Sequence, residues 1–398
     1  MKILHTIFKH TSFAVLLVFV LLLTGCPAVN VRNDPARYAS LEHMRVEAVD
    51  VKEARELTEG LSAPAQGLKS WNDLRFAIEQ SLDFVQLRPA HATALVLPGD
   101  DRVPISWGDL RASLLRMLEI LPYLDVNPGL LADEFTWLRL TPEFGFTGYY
   151  EPTIRADSHP GPIYRYPIYA MPKDLKPGKQ YLDRHSIDRK QALAGKGLEL
   201  AWVADDIDIF FLQIQGSGRL VYPDGKVRHV LYAGKNGHAY VPLGRVMRER
   251  GLLEPDNVNM NSIRTCLNEN PSIKDELLDT NPSYVFFRLE DDGPVGSMGR
   301  ILTPRVSLAI DPRVLPYGSL LFFNVDLPDQ FGVHNRNTQA LALPQDSGGA
   351  IKGRRIDLFM GAGNEAEHVA GHLNSEGTVY ILMPVTGGSF TRYIEELE

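Results

Sequence analysis

The sequence contains only two cysteines among its 398 residues, Cys26 and Cys266. Two thiols can form at most one intramolecular disulfide, so a small fold held together by several disulfides is excluded. Cys266 lies in the segment SIRTCLNENP, where Ile263 and Leu267 share its face of a predicted helix. That position favours a buried, inert thiol over a nucleophile, and cysteine chemistry is set aside.

An excess of basic residues is also missing. Lysine and arginine number 41 against 49 aspartates and glutamates, which gives a net charge of −8. Nucleic-acid binding depends on neutralising phosphates with a basic surface, so this balance argues against a nucleic-acid partner. The sequence has no low-complexity tract, and no repeat indicates a solenoid or a propeller. The length and the hydrophobic content of 44% allow one large domain or two medium ones.

The N-terminus has the features of a secretory signal. Lys2 and Lys9 precede an apolar run that ends at Cys26 and is too short for a comfortable membrane span. The last four residues of this run, LTGC, resemble the lipobox of bacterial lipoproteins. The resemblance implies a signal peptide over residues 1–25 and several acyl chains on Cys26, which anchor a protein stably. Pro27 in place of aspartate then implies the periplasmic face of the outer membrane. An ordinary signal peptide with a chance cysteine is the alternative.

The next segment predicts a tether followed by two helices. Residues 26–65 are mostly polar without a sustained period, and we interpret them as the tether. SWNDLRFAIEQSLDFV and SWGDLRASLLRMLEIL both begin with a possible capping box, at Ser70 and at Ser106. Apolar residues then recur at helical spacing in both segments. The two helices are interpreted as scaffold, because nothing in them suggests chemistry.

From about residue 143 the pattern changes to short strands. Runs rich in β-branched and aromatic residues alternate with Gly, Pro, Asn and Asp. YPDGK at 222–226 predicts a hairpin. FLQIQGSGRL at 211–220 is interpreted as a strand that carries Gln213 and Gln215 on one face. Many short strands with few helices favour β-barrels over a doubly wound parallel sheet.

Three aspartates end or occupy predicted strands near the C-terminus: Asp311, Asp346 and Asp357. In RRIDLFM, alternation places Asp357 opposite Ile356 and Leu358, so its side chain projects away from a core. Glycines after Asp346 permit a tight reversal that brings the two carboxylates near each other. A general acid is one interpretation, because burial and a neighbouring carboxylate both raise a carboxyl pKa. Turn-capping aspartates paired with nearby lysine and arginine are the other, and spacing alone leaves both open.

Two further motifs are weaker. GAGNEA at 361–366 matches a dinucleotide-binding pattern, but no parallel crossover series follows it. His368 and His372 stand one helical turn apart and have the spacing of two metal ligands, but no third ligand is evident. We therefore predict no nucleotide, no metal and no other cofactor.

Polar and aromatic side chains beside glycines suit a carbohydrate groove. Amides and aromatic rings offer hydrogen bonds and stacking surfaces to sugar hydroxyls and N-acetyl groups. Packing tyrosines and hairpin glycines are the alternative interpretation at each position. The candidate sugar-binding residues come from FTGYYEP and FLQIQGSGRL: Thr147, Gly148, Tyr149, Tyr150, Gln213, Gln215, Gly216, Ser217 and Gly218.

Six segments together resemble the membrane-bound lytic murein transglycosylase A family and occur in the family's order: FTGYYEP, WVADDIDIFFLQIQGSGRL, YAGKNGHAY, NPSYVFFR, LTPRVSLAIDPRVLPYGS and DSGGAIKGRRIDLFMGAG. The last two also resemble the three-aspartate domain, a double-psi β-barrel. The resemblance implies a mainly β fold with a helical N-terminal part, and a glycan groove between a catalytic barrel and an inserted β-domain. The implied parts are a signal peptide over 1–25, a tether over 26–65, a helical part over 66–150, an inserted substrate-binding domain over 151–290 and the catalytic barrel over 291–398.

The resemblance also implies an activity. A lytic transglycosylase cleaves the β-1,4 bond between N-acetylmuramic acid and N-acetylglucosamine in peptidoglycan and leaves 1,6-anhydromuramic acid ends. The resemblance makes Asp357 the catalytic residue and matches Asp311, Asp346 and Asp357 to the family's three aspartates. We predict that Asp346 belongs to the catalytic pair, holding Asp357 in place and raising its pKa, and that Asp311 is in support. The implied partners are peptidoglycan glycan strands, the outer membrane through the lipid anchor, and wall-synthesis scaffold proteins. A hydrolase with two catalytic aspartates and a non-catalytic wall-binding module stay open as alternatives.

Overall fold

A computed structural model describes residues 44–96, 104–255, 257–329 and 335–385. The predicted signal peptide, the lipidation site Cys26 and the first part of the predicted tether lie outside these residues. The strands are β1 Arg45–Val49, β2 Thr93–Val96, β3 Pro104–Ser106, β4 Phe135–Glu151, β5 Thr153–Asp157, β6 Tyr166–Tyr169, β7 Glu199–Val203, β8 Ser217–Val221, β9 Val227–Lys235, β10 Val285–Glu290, β11 Ser307–Ala309, β12 Leu321–Pro328, β13 Asn335–Asp346, β14 Arg355–Ala362 and β15 Asn374–Pro384. The α-helices are α1 Val51–Glu59, α2 Ala63–Gln66, α3 Arg75–Val85, α4 Trp107–Ile120, α5 Leu130–Glu134, α6 Asp206–Gln215, α7 Leu243–Glu249, α8 Met260–Glu269, α9 Pro271–Asp279 and α10 Asn364–His372.

Six strands close into a β-barrel. Their order is β4-β14-β11-β13-β12-β15, and β15 pairs back with β4. The 17-residue strand β4 makes closure possible, because it pairs with β15 along most of its length and with β14 towards its end. Buried aromatic and aliphatic side chains fill the core, among them Phe146 and Phe323, whose ring centroids are 5.1 Å apart. The predicted β-barrel is therefore confirmed, and its double-psi topology stays a prediction.

Segments that precede the barrel in sequence are built into it. All of strand β4 except its last residue lies within the predicted helical part, 66–150, and β1 pairs antiparallel with β4. Helix α1 is capped by Asp50, whose side chain accepts a hydrogen bond from the Glu53 amide. At the end of α2, the Gln66 side chain donates to the Leu341 carbonyl and accepts from the Leu341 amide. From β1 onward, the segment predicted as a tether is therefore folded against the barrel.

The two predicted capping boxes have different outcomes. Ser106 and Asp109 form one at the start of α4, which confirms that prediction. Ser70 makes no side-chain cap, so the prediction there is wrong: a 3-10 turn intervenes before α3, and the Asp73 carboxylate accepts from the Lys69 amide. None of the helices within the described ranges is both long and apolar enough to span a bilayer.

Between β4 and β11 the chain forms a second sheet with its own core. The strand order is β10-β9-β8-β5-β7-β6, and the core includes Ile168, Leu220 and Phe287. Strands β8 and β9 are antiparallel and joined at 222–226, where Gly225 has a φ of 83°. The predicted hairpin is therefore confirmed. It forms here because aspartate followed by glycine suits the positive φ of such turns.

The segment 211–220 is not one strand, as the sequence pattern had suggested. Its first half belongs to helix α6, and only the part from Ser217 onward is a strand, β8. Asp205 caps the helix by accepting a hydrogen bond from the Ile207 amide, and Gly216 ends it with a φ of 82°. Six of the ten residues of α6 are buried, so the helix lacks the one-sided apolar period of a surface helix.

Candidate active site

Strand β11 brings two of the predicted aspartates together. Ala309 on β11 is the register partner of Asp346 on β13 and also of Asp357 on β14. Register partners project from the same face, and adjacent strands lie about 4.8 Å apart, so one small side chain separates the two carboxylates. The register shifts between Leu308 and Ala309, an irregularity that is common beside active sites.

The two faces of β14 have different surroundings. Ile356 and Leu358 lie in the barrel core and are at most 1% exposed, whereas Arg355 and Asp357 on the other face are only partly buried. The predicted alternation in RRIDLFM is confirmed. A separate small apolar cluster accompanies the second face, and it consists of Tyr149, Leu302, Ala309, Ile351 and Phe359.

Asp357 has one oxygen that accepts a hydrogen bond from the described residues and one that does not. Its Oδ1 accepts a hydrogen bond of 2.8 Å from the hydroxyl of Thr147, its register partner on β4. Its Oδ2 has no hydrogen-bond partner among the described residues, and Asp357 as a whole is partly exposed. Loss of solvation raises the pKa of Asp357; Arg355 and the Thr147 hydrogen bond oppose this rise, and the charge of Asp346 adds to it. A partly exposed carboxyl group with a raised pKa suits proton donation near neutral pH.

Asp346 is held by three donors. Its Oδ1 accepts from the amides of Ser297 at 2.7 Å and Ser347 at 2.8 Å, and its Oδ2 accepts from the Tyr149 hydroxyl at 2.9 Å. Burial raises the pKa of Asp346, while the hydrogen bonds from these groups oppose the rise. The three donors fix the orientation of the carboxylate beside Asp357.

Tyr149 connects Asp346 to the apolar cluster. Its ring packs against Phe359 with centroids 5.2 Å apart, and its hydroxyl donates to Asp346. Burial, together with the negative charges of Asp346 and Asp357, raises the pKa of Tyr149 well above its ordinary value. The phenol therefore stays a neutral hydrogen-bond donor at physiological pH.

Asp311 has hydrogen-bond partners different from those of Asp346 and Asp357, and its contacts stabilise a turn. It is 2% exposed, and its carboxylate accepts from Arg313 Nε at 2.9 Å and from the Gly353 amide at 2.9 Å. Gly353 has a φ of 62°, a left-handed conformation that favours glycine. Burial alone would raise the pKa of Asp311, but the hydrogen bonds from Arg313 and Gly353 lower it to about 2.

We expect Asp311→Asn to lower the free energy of unfolding by about 1 kcal/mol at pH 7, because solvent screens the exposed Arg313 partner. The pKa of Asp311 is lower in the folded chain than its ordinary value of 3.8, so its stabilisation is complete above about pH 4 and disappears as the pH falls towards 2. Urea unfolding from pH 7 to pH 2 measures both effects. Asp292→Asn, at an exposed position, is the control. Equal stability of Asp311→Asn and the native chain at pH 7 would contradict the expectation.

The predicted sugar-binding amides have protein partners. Gln213 is buried on α6, where its Oε1 accepts a 2.5 Å hydrogen bond from Arg184. Gln215 accepts from the backbone amide of Tyr150 at 3.1 Å and so ties α6 to β4. The Tyr150 hydroxyl donates to Glu367 on α10 at 2.9 Å. The prediction that the two amides share a strand face is wrong, because both lie on a helix.

Two glycines in the predicted sugar-binding set permit close packing. A Cβ at Gly148 would lie 2.8 Å from Ala370 Cα, so the missing side chain lets α10 pack against β4. A Cβ at Gly218 would lie 2.5 Å from Leu212 Cδ1. Ser217, the first residue of β8, is 8% exposed. Their contacts in the fold are therefore mainly structural.

Sequence reasoning missed Ser297 and Ala309. Ala309 separates the two carboxylates only because three strands from distant parts of the chain meet in the barrel, and no local pattern indicates that. Ser297 lies in an irregular segment before β11, where its amide binds Asp346 and its hydroxyl lies 2.8 Å from the Tyr317 hydroxyl. Arg355, by contrast, follows from the alternation of β14, and its Nη2 lies 3.3 Å from the Thr147 hydroxyl.

The described ranges contain no group of three or more His, Cys, Asp and Glu side chains with the spacing of a metal site. His368 and His372 on α10 stack on each other with ring centroids 4.3 Å apart. His372 Nδ1 lies 2.7 Å from the carbonyl oxygen of His368. The stacked pair is thus tied to its own helix.

Two protein-family models match segments of the chain. The model described as the MltA specific insert domain matches residues 145–288, and the model described as the 3D domain matches residues 306–383. The first match contains the second sheet up to β10, and the second contains all three aspartates.

Individual relatives agree with these matches. The chain is 36% identical over 244 residues to membrane-bound lytic murein transglycosylase A of Vibrio cholerae, a match that covers 60% of this chain and 64% of the relative, just under two thirds. The structure of the lytic transglycosylase LtgG of Burkholderia pseudomallei is 31% identical, with a TM-score of 0.53, and the match covers 86% of this chain and 96% of that one. The structure of Escherichia coli MltA with bound chitohexaose is 29% identical, with a TM-score of 0.60, covering 75% of this chain and 98% of that one.

Proposed function

Because the chain belongs to the membrane-bound lytic murein transglycosylase A family, we propose that it cleaves the β-1,4 bond between N-acetylmuramic acid and N-acetylglucosamine in peptidoglycan. The products are 1,6-anhydromuramic acid ends. The observation that carries the proposal is the carboxyl group of Asp357, which is partly exposed, has one oxygen without a hydrogen bond from the described residues, and has a pKa raised by lost solvation. The chitohexaose bound to the Escherichia coli relative supports a glycan as the substrate class.

In the first step Asp357 acts as a general acid. Its protonated carboxyl donates to the glycosidic oxygen as the bond to the muramyl C1 breaks, and the N-acetylglucosamine side leaves as an alcohol. A raised pKa keeps a larger fraction of the carboxyl protonated near neutral pH, which this step requires. The Thr147 hydroxyl on Oδ1 orients the group, so that Oδ2 is the oxygen available to the substrate.

In the second step the same carboxylate acts as a general base. Ionised Asp357 removes the proton of the muramyl C6 hydroxyl, and the C6 oxygen bonds to C1 to close the anhydro ring. The attacking oxygen belongs to the substrate, and a well-oriented intramolecular attack has an effective molarity on the order of 10⁵ M or more. The proton taken by Asp357 restores the acid for the next cycle.

The arrangement of Asp346 favours this reaction over hydrolysis with two carboxylates. An inverting hydrolase needs a second carboxylate free to activate water, and a retaining one needs a second carboxylate free to attack the sugar. The two oxygens of Asp346 already accept three hydrogen bonds from Ser297, Ser347 and Tyr149. We propose that Asp346 positions Asp357 and raises its pKa, and that Asp311 supports the fold of the turn.

Product analysis tests the reaction type. Purified sacculi are digested with the protein, and the released muropeptides are separated and weighed by mass spectrometry. We expect anhydro ends, each lighter than a reducing end by one water. Reducing ends would show a hydrolase, and no release above background would favour a non-catalytic wall-binding module.

For location we propose an anchor at Cys26 that holds the chain on the periplasmic face of the outer membrane. The support is the positive N-terminus, the apolar run and the LTGC motif. We propose further that the barrel has double-psi topology and that wall-synthesis scaffold proteins recruit the enzyme.

We expect Cys26→Ser to move the protein from the membrane fraction to the soluble periplasmic fraction, because the diacylglycerol of the anchor attaches through the thiol. Cell fractionation with immunoblotting measures the distribution. Cys266→Ser removes the other thiol and should leave the protein in the membrane fraction. A membrane-bound Cys26→Ser variant would show that another segment provides the attachment.

A further inference from the structure

A cavity of about 300 Å³ lies in the inserted part of the chain, outside the candidate active site. None of Asp346, Asp357 and Tyr149 lines it. Its volume is at the lower end of the range of small-molecule pockets, which suits about one sugar ring rather than a chain. The lining residues used below are Tyr166, Asp188, Arg189, Gln191, Trp202 and Asp206.

One part of the wall is aromatic. Trp202 lies on β7 and Tyr166 on the neighbouring strand β6, and both side chains remain partly accessible. The flat rings offer an apolar surface with a polar edge. A ligand that has one apolar face fits this wall.

Another part of the wall has unusual backbone geometry. Asp188 and Arg189 lie in a π-helical turn, His185–Arg189, a conformation that is rare and frequent at functional sites. Gln191, two residues later, has a φ of 51° although it is not glycine. Such conformations cost free energy and concentrate at ligand sites. The turn brings a carboxylate, a guanidinium and an amide to one cavity.

Four charged side chains line the cavity, two positive and two negative. Arg165 lies over the Tyr166 ring, with its Cζ 5.5 Å from the ring centroid, and the other three are in ion pairs. Asp206 lies 2.6 Å from Lys274 Nζ and 3.5 Å from Arg189, and Asp188 lies 3.5 Å from Arg184. Because the lining charges balance, the site has little net attraction for an ionic ligand. Its carboxylates and amide still offer hydrogen bonds to hydroxyl and N-acetyl groups.

We propose that this cavity binds one pyranose ring of a neutral amino sugar, separately from the catalytic cleft. The apolar face of the ring packs on Trp202, and its hydroxyl and acetamido groups face Asp188 and Gln191. The choice of amino sugar rests on the proposed function, while the site itself does not. A second sugar site keeps the enzyme on the wall between cleavage events by raising the effective concentration of glycan at the cleft.

The test uses the indole N–H signals of ¹⁵N-labelled protein, since the chain has four tryptophans. The Trp202 signal is identified as the one that is absent from the spectrum of the Trp202→Phe variant. On addition of N-acetylglucosamine alone we expect this signal to shift, with a dissociation constant on the order of 1 to 10 mM for a single ring. Trp71 and Trp137 are at most 3% exposed and serve as internal references.

Gln191→Gly removes the amide at an exposed position and keeps a residue that tolerates the positive φ, so the fold is retained. We expect it to weaken the Trp202 response at least threefold, whereas Lys196→Ala, exposed on the same segment, leaves it unchanged. A Trp202 signal that does not move up to saturating sugar, or that responds equally in Gln191→Gly, overturns the proposal.

The same preparations are assayed for anhydro products from sacculi. Normal product with an unresponsive Trp202 overturns only the second sugar site. A responsive Trp202 without product overturns only the proposed activity and leaves the site in place.

Discussion

Asp357→Asn is expected to lower product release from sacculi by about 10³-fold, on the order of 4 kcal/mol in the barrier. Asparagine has nearly the same shape and keeps an oxygen that accepts the Thr147 hydrogen bond. It has no proton to give to the glycosidic oxygen and no negative charge to take one from the C6 hydroxyl. Both steps assigned to Asp357 are lost together, while the surface that meets the glycan is unchanged.

Two measurements separate loss of chemistry from loss of binding. Release of anhydro-muropeptides gives the rate, and co-sedimentation with sacculi gives the binding, which we expect to equal that of the native chain. Asp326→Asn, an exposed aspartate on β12 of the same barrel, should retain full activity. Full activity of Asp357→Asn would remove Asp357 from the mechanism. Equal release by the native chain and the variant, both at background, would favour a wall-binding module.

Local sequence patterns predicted the parts of this fold that are determined by residues close together in the chain. β14 has a core face and an open face, so its alternation was visible in RRIDLFM, and Asp357 could be placed on the open side. The hairpin at 222–226 is fixed by its own turn residues. The closure of the barrel was harder to predict from local sequence, because β4 pairs with β14 and β15 across more than 200 positions of sequence.

Helix α6 shows where pattern reading fails. DIDIFFLQIQ is apolar on nearly all sides because the helix is buried between the second sheet and its neighbours. Its composition therefore resembles a buried strand. The signals that would have identified it lie at its ends, an aspartate cap at Asp205 and a left-handed glycine at Gly216. End signals deserve more weight than periodicity when a segment is apolar throughout.

The sequence predicted the main residues of the candidate site but not the hydrogen bonds between them. The spacing after Asp346 suggested that it approaches Asp357, and the barrel register places them on either side of Ala309. Tyr149 was expected to face sugar, whereas its hydroxyl donates to Asp346. Hydrogen bonds between residues nearly 200 positions apart depend on tertiary structure, so no motif within FTGYYEP could reveal that partner.

Asp346→Asn is the second variant with a large expected effect, a loss of up to about 10-fold in rate at pH 7. The negative charge of Asp346 raises the pKa of Asp357, so its removal lowers that pKa. Less of Asp357 is then protonated at neutral pH, and the alkaline limb of the rate profile should move to lower pH. Asparagine fits the site, because its oxygen accepts from the Ser297 and Ser347 amides while its NH₂ group donates to the Tyr149 oxygen.

The pH profile distinguishes an electrostatic role of Asp346 from a structural one. If Asp346 acts through its charge, lowering the pH restores much of the lost rate, since protonation of Asp357 is what the variant lacks. Tyr149→Phe removes one donor to Asp346 and retains the charge, so its alkaline limb should not move to lower pH and its rate should fall only a few-fold. A reduced rate in Asp346→Asn with an unmoved alkaline limb would mean that Asp346 holds the loop in place and does not tune the acid. The two variants together therefore assign the raised pKa of Asp357 either to its charged neighbour or to burial alone.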